Sequence, residues 1–239
     1  MSHRRKNGSS IGRGPWATEG AGAASGVVHR SELTYPVCWS HEVNLRCIEM
    51  LVHAARHDRQ TFALVVELRD LLVLTTPIAR QRIAERAFVI VDMHFRDTEW
   101  WTVVQRRPSD PMRNPAWRGA FPRAAAIQLV RATLVLAWNG LRTDPATAGV
   151  LLGMTPSVGQ ILTRLKLDEI DLIARKHFRH IRARWDDRPA VWRQLLLAAQ
   201  APESGPMGDF NHHALQLLAG ELLAPPTSHQ TKTRPATDP

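Results

Sequence analysis

The chain has 239 residues, 31 Lys+Arg against 22 Asp+Glu, and a formal net charge of +9. That length holds one or two domains with a sizeable core, and 44% apolar residues exclude a disordered chain. No apolar run approaches the ~18 uninterrupted residues of a membrane span. The basic start MSHRRKNGSSIGRGPW leads into no apolar stretch of the kind a secretory signal needs. Cys38 and Cys47 are too few for a disulfide framework or a four-cysteine zinc site. These features predict a soluble, cytoplasmic, basic protein.

Residues 1–30 carry a net of +4 and residues 201–239 a net of −2, which leaves +7 on residues 31–200. Of the 31 basic residues 27 are Arg, a ratio that a GC-rich genome accounts for without choosing where the charges fall. A basic body points to a polyanion, nucleic acid before an acidic protein.

In chain order, residues 1–30 are rich in Gly, Ser and Ala and predict a flexible basic arm. A first helical block covers 38–104. Leu45, Ile48, Leu51, Val52 and Ala55 share one helical face. Thr61–Leu74 is almost wholly apolar and is expected to be buried on most sides. Thr75-Thr76-Pro77 restarts a helix, with Thr as cap and Pro in the first turn. VIVDMHF, at 89–95, fits both helix and strand. The joint QRRPSDPMRNPAWRGAFPR has loop composition.

A second helical block covers 121–200. Residues 123–138 form an apolar helix that Asn139-Gly140 is expected to end. Asp144-Pro145 and Thr155-Pro156 start two short helices, and Asp168 is expected to cap a third. Residues 201–239 predict a mostly disordered tail with a short helix near 213–223. The fold class is all-α. At an offset of 90, Leu72, Ile83, Ala84, Phe88 and Asp97 match Leu162, Ile173, Ala174, Phe178 and Asp187. Two amphipathic segments reach that level by chance, so a tandem duplication and two unrelated blocks both stay open.

Residues 145–163 read as a helix-turn-helix-like unit. Gly149 is expected at a close helix crossing, and Gly153 at the turn. RKHFRHIRAR, at 175–184, then holds five basic residues and no acid. On a continuous helix Arg175, Arg179 and Arg182 form a stripe about 11 Å long. Phosphates and guanine edges are natural ligands of such a stripe. The candidate DNA-binding residues are Arg164, Lys166, Arg175, Lys176, Arg179, Arg182 and Arg184. A solvated face balanced by Asp168, Glu169, Asp171, Asp186 and Asp187 is the competing reading.

The stretch LGMTPSVGQILTRLKLDEIDLIARKHFRHIRARWDD, 152–187, resembles the flagellar transcriptional activator subunit FlhD. The resemblance lies in Leu152-Gly153 before a turn, the run Leu165–Ala174, and the aromatic and basic exit ending at Trp185-Asp186. Leu74–Pro77 and Ile83–Glu85 echo it in the first block. The resemblance implies an all-helical, dimeric activator subunit that binds promoter DNA with a zinc-bearing FlhC-like partner and recruits RNA polymerase. Relatives of that pair also act on conjugative mobile elements. The chain is about twice the family's length, so one fused chain could replace a dimer of single units. The oligomer, homo- or hetero-, stays open.

Catalysis is not expected. The histidines are scattered, and His53 and His57, at i and i+4, have no Glu between them as a metalloprotease needs. His212-His213 is read as a loop pair with nothing to complete a metal site. No phosphate loop or nucleophile elbow is present, and no cofactor or metal is predicted. The eight Trp are expected to anchor helix ends more than to stack on bases. Cys47 reads as a reduced core residue, and Cys38 as another or as a bridge between chains. The alternative function is a non-catalytic interaction or structural protein of a conjugative element or regulatory complex.

Overall fold

The computed structural model describes residues 30–57, 62–108 and 120–224, with side chains from residue 40 onward. The predicted arm, most of the joint between the blocks, the end of the tail, Cys38 and Trp39 lie outside the described side chains. Helix dominates, at about three-quarters of the described residues. The first block comprises α1 (Arg30–His57), α2 (Ala63–Glu67), α3 (Arg69–Leu74), α4 (Pro77–Ala84), β1 (Val91–Asp92) and α5 (Thr98–Arg106). The second comprises α6 (Arg123–Thr143), α7 (Pro145–Leu152), α8 (Pro156–Thr163), α9 (Leu167–His177), β2 (Arg182–Ala183) and α10 (Pro189–Gln200). A final helix, α11, spans Gly205–Leu223.

Three helices start as their sequences dictate. The side chains of Thr76, Asp144 and Thr155 accept from the N–H groups of Ala79, Thr147 and Val158, at 3.1, 3.0 and 3.5 Å, and a proline follows each cap. Helix α9 starts differently from expectation. Lys166 is its N-cap residue, and the Glu169 carboxylate accepts from the Lys166 N–H at 2.7 Å, while Asp168 lies inside the first turn. Asn139-Gly140 does not end α6, which runs on to Thr143. Gly140 is there for close packing, since a Cβ on it would lie 3.2 Å from the Ala148 Cβ of α7. Gly149 lies in no tight crossing, since a Cβ on it would meet only the Met154 carbonyl, at an ordinary contact distance of 3.5 Å.

The two blocks share one apolar core. Leu51, Leu64, Leu72 and Ile83 join Leu129, Leu134, Leu162 and Ile173 in a continuous cluster of buried side chains. The elements interlock across the blocks: α1 packs on α6, α4 on α10, and α5 on α8. β1 and β2 pair antiparallel, Val91 with Ala183 and Asp92 with Arg182. α6 is long and apolar enough by composition to cross a membrane. Here its Leu129, Val130, Leu134 and Leu141 are buried against its neighbours.

A local geometry recurs 91 positions apart. The indole N–H of Trp101 donates to the Met93 carbonyl at 3.2 Å, and that of Trp192 to the Arg184 carbonyl at 2.6 Å. The Asp97 N–H donates to the His94 carbonyl and the Arg188 N–H to the Trp185 carbonyl, both at 2.9 Å. His94 and Trp185, with φ of 53° and 56°, are the non-glycine residues of left-handed backbone among those described. α5 and α10 begin at Thr98 and Pro189. An offset of 90 sets α4 against α9, whereas the packing of α4 on α10 and of α8 on α5 sets α4 against α8.

Two further expectations change. The apolar segment before α4 is not buried on most sides, for Val66, Val73 and Leu74 are 56%, 38% and 66% exposed. Residues 205–223, expected to be mostly disordered, are helical and packed: α11 buries Met207, Phe210, Ala214 and Leu218, and it includes His212 and His213, both exposed. Its start, Gly205-Pro206-Met207-Gly208, has loop composition, and burial of those four apolar side chains overrides the weak propensity.

Asn44 ties α1 to the chain before β1. Its amide N donates to the Ala84, Arg86 and Phe88 carbonyls at 3.4, 3.3 and 2.9 Å, and its carbonyl accepts from the Ile90 N–H at 2.9 Å. Asn44→Ala leaves buried polar groups without partners and should lower the unfolding free energy by about 2 kcal/mol or more, read from urea denaturation.

Candidate nucleic-acid interface

Helices α7 and α8 meet at Gly153, whose φ of 56° carries the chain through a left-handed turn. A Cβ there would overlap Nη1 of Arg184 and lie 3.0 Å from Cδ2 of Leu218 on α11. Glycine is thus required twice over, by backbone and by space. Two further contacts fix α8: the Thr155 N–H donates to the Phe95 carbonyl at 3.0 Å, and Gly159 lets Leu141 of α6 approach closely.

The candidate basic residues do not form one stripe. α9 ends at His177, a 3₁₀ turn covers Phe178–His180, and the chain then enters β2. Pairing with β1 and burial of Ile181 and Ala183 override the helical spacing of Arg175, Arg179 and Arg182. Arg182 lies in ion pairs with Asp92 at 3.2 Å and Asp186 at 3.7 Å. Arg184 is 3% exposed, so no phosphate reaches it, and its guanidinium donates to the carbonyls of Val89, Val91 and Leu152. It belongs to the core and not to a DNA-facing surface.

Five candidates remain on the surface, in two groups at the ends of α9, which is about 16 Å long at 1.5 Å per residue. Arg175, Lys176 and Arg179 are exposed at its C-terminal end. Arg179 and Arg123 each lie 5.6 Å from the Phe178 ring centroid. Arg164 and Lys166 are exposed in the turn between α8 and α9. Between the two groups, Asp171 pairs with Arg131 of α6 at 2.8 Å.

The turn gains a third cation that sequence reasoning missed. The Trp138 indole N–H donates to the Leu165 carbonyl at 2.9 Å, and the Arg142 guanidinium lies 4.0 Å from the centroid of the same ring. The i, i+4 spacing of Trp138 and Arg142 was the available signal, hidden by ending α6 at Asn139-Gly140. Trp100, Trp101, Trp185 and Trp192 are buried, so they anchor helices and no base can stack on them. Cys47 is buried and unpaired by disulfide, and burial pushes its thiol well above the usual range.

Asp92 supplies the countercharge to Arg182 and Arg184. Burial alone would raise its pKa, but the guanidiniums of Arg184 and Arg182, the nearby His94 and the Phe95 N–H outweigh it and hold the carboxyl below the usual value. Asp186 is shifted the other way, mainly by desolvation. Compared with known protein families, characterised proteins and solved structures, the chain matches none.

Gly153→Ala should destabilise the fold by about 2 kcal/mol or more, from the left-handed backbone and the Arg184 clash, measured by chemical denaturation. The Asp92 carboxylate, depressed in the folded state, adds stability that is complete above its unfolded pKa of about 4. That stability disappears as the pH falls through the folded-state value. Asp186, being raised, offsets part of this loss. Asp92→Asn should therefore flatten the acid limb of the stability–pH curve measured by denaturation between pH 6 and pH 2, and an unchanged limb would assign the acid sensitivity elsewhere.

Proposed function

We propose that this protein is a cytoplasmic DNA-binding transcriptional regulator, an activator subunit whose α7–Gly153–α8 unit is a helix-turn-helix held against promoter DNA. The observation that carries the reading is the exposed cationic rim beside that unit, Arg142, Arg164 and Lys166, at the α8–α9 turn that Trp138 holds through the Leu165 carbonyl, while Gly153 and Arg184 lock the α7–α8 turn. A second exposed group, Arg175, Lys176 and Arg179, lies at the far end of α9. Two such groups match a polyanion that runs past both ends of one helix.

The chain is further proposed to be two FlhD-like units fused into one pseudo-twofold pair. The paired tryptophan hydrogen bonds, the left-handed His94 and Trp185, and the crossed packing of α4 on α10 and α5 on α8 support this. In this reading the second unit contacts DNA, and an FlhC-like zinc-bearing protein and RNA polymerase complete the complex. Val66, Val73, Leu74 and Ile78, all exposed on α2–α4, favour a second reading: a non-catalytic interaction protein that docks a partner on the first unit without touching DNA.

Mobility shift of a mixed-sequence 30-bp duplex over a salt series separates the two. Replacing Arg164 and Lys166, or Arg175 and Lys176, with alanine should weaken binding and reduce the slope of log K against log salt by about 1 for each phosphate no longer neutralised. If neither pair changes affinity or slope, the DNA reading fails and the interaction reading stands.

A further inference from the structure

The row of side chains on α8 is separate from the basic groups around α9. The helix buries Val158, Gly159 and Leu162, and it leaves Ser157 and Gln160 exposed, with Arg164 at its C-cap. These lie at i, i+3 and i+7, one row about 10 Å long. None of the three side chains makes a hydrogen bond or ion pair among the described residues, and α8 itself contains no acid.

Their chemistry is specific. Glutamine meets adenine bidentately in the major groove, arginine meets guanine, and serine suits either base. The first turn of α9 offers the opposite, with Asp168 exposed and Glu169 held by the Lys166 N–H. Helix α4, which packs on α10 as α8 packs on α5, shows what the same positions hold elsewhere in the chain. There the row reads Ile78, Gln81 and Glu85, and Gln81 Nε2 lies 2.7 Å from His41 Nε2. An apolar side chain, an amide already in contact and a carboxylate make a poor face for DNA.

We propose that α8, and not α9, is the base-reading element: Ser157, Gln160 and Arg164 enter the major groove of duplex DNA, while Arg142 and Lys166 rest on flanking phosphates. The proposal rests on the DNA-binding reading above. The charges are complementary, and a groove about 12 Å wide admits a helix. Gln160 and Arg164 stand one helical turn apart, about 6 Å along the axis, so the preferred site holds an adenine and a guanine separated by roughly two base-pair steps. The hydrogen bond from Thr155 to Phe95 and the packing of Gly159 on Leu141 hold the row on a fixed backbone, as sequence readout requires.

The test selects sequences from a randomised duplex library with the full chain, then repeats the selection with Gln160→Ala, Arg164→Ala and Gln81→Ala. The expected result is a motif with that adenine and guanine. Gln160→Ala should lose the adenine preference and bind the selected duplex about tenfold or more weakly, with binding to unselected duplex unchanged. Arg164→Ala should lose the guanine preference, and Gln81→Ala should leave motif and affinity intact. All three substitutions are at exposed positions, and unchanged thermal melting confirms that the comparison is between folded proteins. If the wild type yields a motif that both α8 variants retain, α8 is not the reader, although the protein still binds DNA. Equal binding of every duplex by the wild type would likewise rule out α8 as the reader. If the wild type binds no duplex at all, the DNA reading itself falls, and this proposal with it.

Discussion

A single buried cation organises the centre of the molecule. Arg184 lies almost wholly out of solvent, and its guanidinium donates to carbonyls just before β1, at the first residue of β1 and at the end of α7. Its own N–H donates to the Ile90 carbonyl, and its carbonyl accepts from the Trp192 indole. One residue therefore links the first block, the α7–α8 corner and α10. Isolated burial of such a charge is very costly. Here Asp92 supplies the opposite charge and three carbonyls take the donors. The same guanidinium fills the space where a side chain at residue 153 would stand, so the corner and the core cation are one feature.

What the sequence made legible follows from the range of the physics involved. Caps are local: Thr76-Pro77, Asp144-Pro145 and Thr155-Pro156 can be read without knowing anything distant, and all three hold. The end of α9 is not local. Spacing alone continues the helix through Arg182, whereas a ladder with residues some 90 positions earlier draws that segment into β2. Arg184 looked like one more surface cation because nothing within its neighbours in sequence says that three carbonyls await it. Asn139-Gly140 resembled a helix end because glycine ends helices by φ, yet Gly140 serves close packing within one. The row on α8 was visible as residue types, but which face was exposed required α5 and α6 to be in place.

In the proposed fused pair, the two units have separated their duties at matching positions. Ser157, Gln160 and Arg164 suit a nucleic-acid groove, whereas Ile78, with Val73 and Leu74 beside it, suits a protein. A homodimer of identical units cannot divide its surfaces in this way, because any substitution appears on both. A fused pair would be free of that constraint, so that α4 could present Ile78 where α8 presents the polar Ser157.

The crossing of the blocks also bears on how the chain is made. Residues of β1 find their ladder partners only once the chain has grown by about 90 further positions, and α4 waits still longer for α10. At roughly 5–20 residues per second on a ribosome, the first block would spend on the order of 5–20 s without those partners. During that interval Val89, Ile90 and Val91, each about 1% exposed or less at the end, have no cover from the second block. The nascent chain is thus a period of exposure built into the topology, and neither half is expected to persist as a folded fragment when cut from the other.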